Sequence, residues 1–294
     1  MVTVGSIVSG TFRFVGDNLR SILIWSGLLI LLSMATMALM QPFYAQQLAQ
    51  AQAGTAVVPN FGQFGLFFLL FLVIFLVQFA AVFRAVLFPE QSRFAYLRLG
   101  MDELRLLGTM LVLGVGGGLV ITICAALLGV VVGVLSVAAG AATGALLMGL
   151  LGLVTACVAI FFWVRLSLAG PLTILQKKVV IGPAWRTSRG NFWRLFGAYF
   201  VIGLLLFIVY TVVAFVQMGP VMTDMLHPAD PAAHERVLAW QTANYALSAR
   251  GLIYAVIYGI LYGFSTALQG GMVAVATAQL LDVRGGQHLG EVFE

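Results

Sequence analysis

Long apolar runs separated by short polar knots set the rhythm of this chain. The runs lie at about 21–40, 64–88, 106–134, 142–168, 192–217 and 251–280, and each approaches or exceeds the ~20 apolar residues that carry a helix across a bilayer. The third and fourth are joined by "SVAAGAATG" (136–144), a run of small residues suited to a tight turn. Ahead of the first run, Val4, Val8 and Phe12 recur at i, i+4 and i+8, while Arg13, Asp17 and Arg20 supply polarity. This spacing predicts an amphipathic helix lying in a membrane interface. Residues 41–62 form a loop without formal charge. Residues 231–249 predict a short helix that rests Val237, Leu238, Trp240, Tyr245 and Leu247 on the bilayer.

The polar knots resemble one another. "FRFVGDNLRSILIW" (12–25), "LRLGMDELRLLGTM" (97–110) and "RTSRGNFWRLFGAY" (186–199) align without gaps on their last arginine. Three residues before Arg20, Arg105 and Arg194 stand Asp17, Asp102 and Asn191, whose short polar side chains favour helix N-caps. A cap at the mouth of a span is valuable, because unsatisfied N–H groups are costly in hydrocarbon. Each knot therefore reads as a corner that turns an interfacial helix into a span. Even-numbered spans echo one another more weakly: Arg84 precedes Pro89, and Arg165 precedes Pro171, while "LQGGMVAVATAQLL" (268–281) has no arginine. The expected architecture is all-α, with six transmembrane helices forming one integral membrane domain over 1–294. Its three interfacial-helix plus two-span units would cover about 1–90, 91–178 and 179–294.

Composition sharpens the class. Hydrophobic residues make up 62% of the chain, charged ones 9%, and the mean hydropathy is +1.06, far from the roughly 25% charge of a soluble domain. From Arg105 to Arg165 no charged residue or histidine intervenes. The net charge is +5, but its distribution argues for topology rather than nucleic acid. Arg13, Arg20, Arg84, Arg93, Arg98, Arg105, Arg165, Lys177, Lys178, Arg186, Arg189, Arg194 and Arg284 fall on the N-terminal side, against Arg236 and Arg250 opposite. The positive-inside rule then puts both termini in the cytoplasm. Cys124 and Cys157 sit in apolar runs and read as buried free thiols, and no cleavable signal peptide is evident.

Little catalytic chemistry is visible. His234-Glu235 opens like HExxH, but Leu238 stands where the second histidine belongs. Asp224, His227, Asp230, His234 and Glu235 read as a solvated helix N-terminus with Asp230 or a neighbour as cap. "GVGGG" (114–118) lacks the strand and lysine of a phosphate loop. Gly114/Gly118, Gly129/Gly133 and Gly140/Gly144 read as close-packing faces. Gln78, Ser265, Thr266 and Gln269 read as interhelical hydrogen-bonding groups, and no carboxylate falls within a span. Neither an enzyme, a cofactor nor a metal site is expected. Arg84 and Arg165, near span ends, either extend to water or meet an anion. With Lys177, Lys178, Arg186, Arg189 and Arg194 they make a candidate site for anionic headgroups, since guanidinium suits phosphate.

"VRLSLAGPLTILQKKVVIGPAWRTSRGNFWRLFGAYFVIGLL" (164–205) resembles the recurring stretch of bacterial membrane proteins related to the glycerophosphoryl diester phosphodiesterase membrane domain. "IVSGTFRFVGDNLRSIL" (7–23) and the six-span layout share the likeness. In that family the membrane region can precede a soluble phosphodiesterase domain. The resemblance implies a membrane module of the bacterial inner membrane and carries over no active-site residue. The expected function is non-catalytic engagement of anionic phospholipids, in lipid or amphiphile handling or transport. The alternative is a scaffold or accessory subunit with a membrane-protein partner or a second copy of itself.

Overall fold

The computed structural model describes residues 2–53, 61–227 and 230–284, and among them every regular element is helical. Six helices are long and apolar enough to cross a membrane, at the places the apolar runs predict. Residues 54–60 of the predicted outer loop, and the side chains of Tyr245 and Arg284, lie outside the described residues.

The chain begins with α1 (Val4–Asp17), opened by a reciprocal cap. Thr3 Oγ1 accepts from the Ser6 amide at 3.0 Å, and Ser6 Oγ accepts from the Thr3 amide at 2.9 Å. Its buried face carries Ile7, Thr11 and Phe14, the i, i+4, i+7 stripe of an amphipathic helix. Phe12, expected on that face, is exposed. Asn18 ends α1, its amide side chain donating to the Phe14 carbonyl at 3.0 Å, and α2 (Leu19–Gln52) follows at once. At 34 residues, α2 is roughly 51 Å long against a ~30 Å hydrocarbon core. It runs through Pro42 and over residues the sequence assigned to a loop. Ala, Leu and Gln after Pro42 are strong helix formers, and a helix end outside hydrocarbon does not need apolar residues.

After α3 (Phe61–Leu87), two short 3₁₀ turns, Pro89–Gln91 and Arg93–Tyr96, lead to α4 (Met101–Leu111). A π-turn over Val112–Gly116 joins α4 to α5 (Gly117–Ala139). Gly140, with φ at +88°, makes the reversal into α6 (Ala141–Leu166). Then come α7 (Ala169–Gln176), α8 (Gly182–Thr187), α9 (Phe192–Met218), the single turn α10 (Met222–Met225), α11 (Pro231–Tyr245) and α12 (Ala249–Arg284).

Packing is uneven. The hub is α12, which lies against α1, α2, α3, α7, α9 and α11. Its own GxxxG, Gly259 and Gly263, brings it onto α2: a Cβ at Gly263 would collide with Ser26, and one at Gly259 would meet the Ile30 backbone nitrogen at 2.7 Å. The main core gathers Ile7, Phe83, Leu106, Leu168, Leu172 and Ile202 among its members, at the end of the bundle that carries the N-terminus. By contrast α5 and α6 pack mainly on each other, and their apolar stretches are exposed along their length. Of the glycine faces predicted for close packing, two are open: nothing approaches Gly114, Gly118, Gly129 or Gly133, whereas a Cβ at Gly144 of α6 would meet the Ser136 side chain of α5 at 2.7 Å. Cys124 and Cys157 are free, as expected, but exposed on this hairpin rather than buried. The helix α11 lies against α2 and buries Ala233 and Leu238 there, so Leu238 faces protein and not the bilayer.

The three predicted N-caps are corrected. Asp17 is the last residue of α1, and its neighbour Asn18 serves the helix end. Asp102 lies inside the first turn of α4, whose N-cap position is Gly100. Asn191 does occupy the N-cap position of α9, but its side chain makes no cap bond and accepts from Arg194 Nη1 at 2.7 Å instead. In two of the three knots an arginine supplies a stronger, charge-assisted partner than a neutral amide would: Arg105 Nη1 holds Asp102 Oδ1 at 3.0 Å.

Candidate functional site

Arg84 and Arg165 occupy the last turns of α3 and α6, so each is delivered to the same end of the bundle by its span. Both are buried, at 4% and 7% exposure. Their surroundings differ.

Arg84 is neutralised internally. Its Nη2 donates to Glu103 Oε1 at 2.5 Å and approaches Asp102 Oδ2 at 3.5 Å, while Nη1 donates to the Tyr96 carbonyl at 3.1 Å. Glu103 is itself buried at 6% exposure, and its second oxygen accepts the Gly100 amide at 2.9 Å. One carboxylate thus caps α4 and pairs with α3. Two arginines, Arg84 and Arg105, face two carboxylates, Asp102 and Glu103, leaving no net charge for an external anion. Sequence reasoning missed Glu103. The signal was its position three residues after Gly100, where a Glu side chain reaches back to the cap amide.

This network also holds a strained turn. Phe94, Ala95 and Tyr96 all have left-handed backbone, with φ of 51°, 52° and 63°, at a cost of roughly 1–2 kcal/mol each for residues with a Cβ. Trp25 Nε1 donates to the Ala95 carbonyl at 2.9 Å, Arg84 holds that of Tyr96, and the Tyr96 hydroxyl donates to the Pro89 carbonyl at 3.0 Å. Gln78 Nε2 donates to the Trp25 carbonyl at 3.0 Å, which ties α3 to α2 as the interhelical reading of Gln78 expected. Arg84 is therefore a structural residue, and its inclusion in the headgroup set is set aside.

Arg165 has no such partner. Among the described residues no carboxylate pairs with it, no hydrogen bond to it is found, and its Nε is buried without a partner. Aromatic rings hold it instead: its guanidinium carbon lies 4.2 Å from the Trp185 ring centre and 5.9 Å from that of Phe161. Trp185 is in turn flanked by Phe161 and Phe162 at 5.9 and 5.7 Å, and Phe161 meets Phe192 at 5.2 Å. The spacing explains this locally. Phe161 and Arg165 are four apart on α6 and share a face, and α8 lays Trp185 across it. Of the remaining candidates, Lys177, Lys178, Arg186, Arg189 and Arg194 are all exposed. Lys177 stands at φ 53° where α7 ends, and Arg194 is held by Asn191.

Elsewhere, Asp230 caps α11 as expected, accepting from the Ala232 amide at 3.0 Å. Arg236 binds Asp224 through Nη2 at 2.6 Å and Nε at 3.1 Å, and that hydrogen bond raises its pKa further above the ordinary arginine value. Among the described residues no three His, Cys, Asp or Glu side chains are grouped so as to hold a metal. Ser265 pairs with the Tyr210 hydroxyl at 3.0 Å across helices. The other two polar span residues depart from expectation: Thr266 donates to the Tyr262 carbonyl of its own helix, and Gln269 is exposed. An open groove of about 320 Å³ between α9 and α12 is lined by Val213, Ile257, Ile260, Leu261 and Phe264 and is wholly apolar in its side chains. Comparison with protein-family models, curated proteins and solved structures returns no match, so the likeness noted at 164–205 and 7–23 rests on the sequence and its six-span layout alone.

Proposed function

We propose that this chain is a non-catalytic, multi-pass protein of the bacterial cytoplasmic membrane, with both termini in the cytoplasm, that engages anionic phospholipid headgroups in lipid or amphiphile handling. One observation carries the reading: the cations divide into two classes. Arg84 and Arg105 are matched by Asp102 and Glu103, whereas Lys177, Lys178 and Arg189 are exposed with no carboxylate beside them among the described residues. Cations on a membrane-facing collar attract anionic lipid, at about 1 kcal/mol each. The uneven sidedness of Lys and Arg supports the orientation. A short helix before α2, before α5 and before α9 supports a threefold grouping, although each corner is built differently.

The test is lipid retention. The variant Lys177→Gln/Lys178→Gln/Arg189→Gln, purified in mild detergent, should carry less phosphatidylglycerol and cardiolipin than the parent by mass spectrometry. Equal lipid content in the two would refute the reading. The exposed α5–α6 hairpin favours a second reading, an accessory subunit whose partner covers α5. Crosslinking in intact membranes from Cys124 decides it: a single crosslinked partner supports a subunit, and lipid-only adducts dismiss it.

A further inference from the structure

We infer that Arg165 is the centre of a built phosphate site, in which Trp185 takes the face of the guanidinium and a phosphate oxyanion takes its edge. The inference rests on the headgroup reading above and narrows it from a diffuse collar to one residue.

The argument begins with charge. A buried cation needs a counter-charge or a dense set of acceptors, because desolvation is costly. Arg84 obtains one from Glu103, which lies two residues before Arg105. In the gapless alignment of the knots, the position two before Arg194 is Phe192. The carboxylate that neutralises one arginine is thus replaced by a ring for the other. Phe192 joins the aromatic cluster through Phe161 at 5.2 Å, so the region around Arg165 supplies π faces and no negative charge.

Geometry then selects the ligand. The Arg165 guanidinium carbon lies 4.2 Å from the Trp185 ring centre and its Nε is buried without a partner among the described residues; a guanidinium that gives its face to a ring keeps its in-plane N–H groups for a ligand. That edge is a fork suited to two oxygens of one phosphate or carboxylate. Phosphate is favoured by the surroundings. Arg189, four residues after Trp185, is exposed and adds positive potential for a doubly charged or diester group. Phe161 and Phe162, packed against Trp185, are exposed and offer an apolar rim for an acyl chain, as an interfacial aromatic belt does. A lipid phosphate uses both features; a free phosphate uses only the first.

The experiment titrates phosphatidylglycerol into the delipidated full chain in detergent and counts bound lipid by native mass spectrometry. The parent should hold one lipid well above the rest. Arg165→Lys keeps the charge but loses the planar fork, and should weaken that first lipid about tenfold. Phe192→Glu restores a carboxylate to the aligned position and should exclude the first lipid. Inorganic phosphate at about 10 mM is the second arm, chosen on the ordinary scale of weak anion affinities. Failure to displace the lipid assigns a lipid headgroup, and displacement assigns a free phosphate, each through the same fork. If Arg165→Lys and Phe192→Glu both bind the first lipid like the parent, the site does not exist. The collar reading still stands in that case if Lys177→Gln/Lys178→Gln/Arg189→Gln lowers total bound lipid, and falls with the site if it does not.

Discussion

Replacing Arg84 by Met strands Glu103, a carboxylate 6% exposed whose charge partner is 2.5 Å away. Breaking a buried pair by removing one partner typically costs 3–5 kcal/mol. Arg84 also holds the Tyr96 carbonyl at 3.1 Å, one of two bonds into a left-handed turn whose backbone strain is itself roughly 3–6 kcal/mol over three residues. The single variant should therefore lose at least ~3 kcal/mol. Glu103→Gln is a cleaner probe of charge, because its amide oxygen can still accept the Gly100 amide and keep α4 capped. Combined, Arg84→Met/Glu103→Gln leaves no buried charge in the pair, so the double variant should be less damaged than the sum of the singles. A coupling of roughly 1–3 kcal/mol is expected for groups in direct contact. Reversible unfolding by SDS titration in mixed micelles, followed by tryptophan fluorescence, measures it, and Trp25 reports on the turn directly. Additive losses, or an Arg84→Met single variant with parental stability, would refute the account of Arg84 as an internally compensated residue.

Other substitutions probe the packing. Gly263→Leu should destabilise the bundle by about 3 kcal/mol or more, an overpacking cost, since even a Cβ collides with Ser26; Gly133→Ala, facing open space, should change the SDS midpoint little, and a common cost for both would overturn the assignment of α12 as the hub. Phe94→Gly should stabilise by roughly 1 kcal/mol, because Phe94 is 87% exposed with φ at 51° and loses little contact when truncated; a lower unfolding midpoint would mean the turn is not left-handed. Asp230→Ala should cost α11 about 1 kcal/mol of helix stability, visible as faster amide exchange over residues 232–235 with α12 unaffected.

The spans were legible because a bilayer imposes one condition, length of uninterrupted apolarity, and the chain meets it six times. What those runs could not convey is which glycines are used. Gly114/Gly118, Gly129/Gly133 and Gly259/Gly263 all satisfy the same four-residue spacing, but only the last pair faces another helix, where Ile30 and Ser26 fill the space. Spacing fixes that two small residues share a stripe; it says nothing of where the stripe points. The same limit explains the caps. Asp17, Asp102 and Asn191 were placed at helix starts by alignment to an arginine three residues on, and that arginine competes for the side chain, taking Asp102 and Asn191 for itself.

The two buried arginines show how local reading fails and what repairs it. Each stands a few residues before a proline at the end of an even-numbered span, so that local pattern does not separate them. The difference lies 19 residues downstream of Arg84, at Glu103, on a helix that returns to the same end of the bundle. The equivalent position in the next knot is Phe192. A cation buried beside a carboxylate is neutralised within the protein, whereas one buried beside rings is attracted to their faces and keeps its net charge. Pairing each span-end arginine with the residue two before the closing arginine of the following knot would have separated the two roles from sequence alone. The rule extends to the first knot, where the equivalent residue is Asn18: this side chain is neutral and is spent on its own helix end at Phe14.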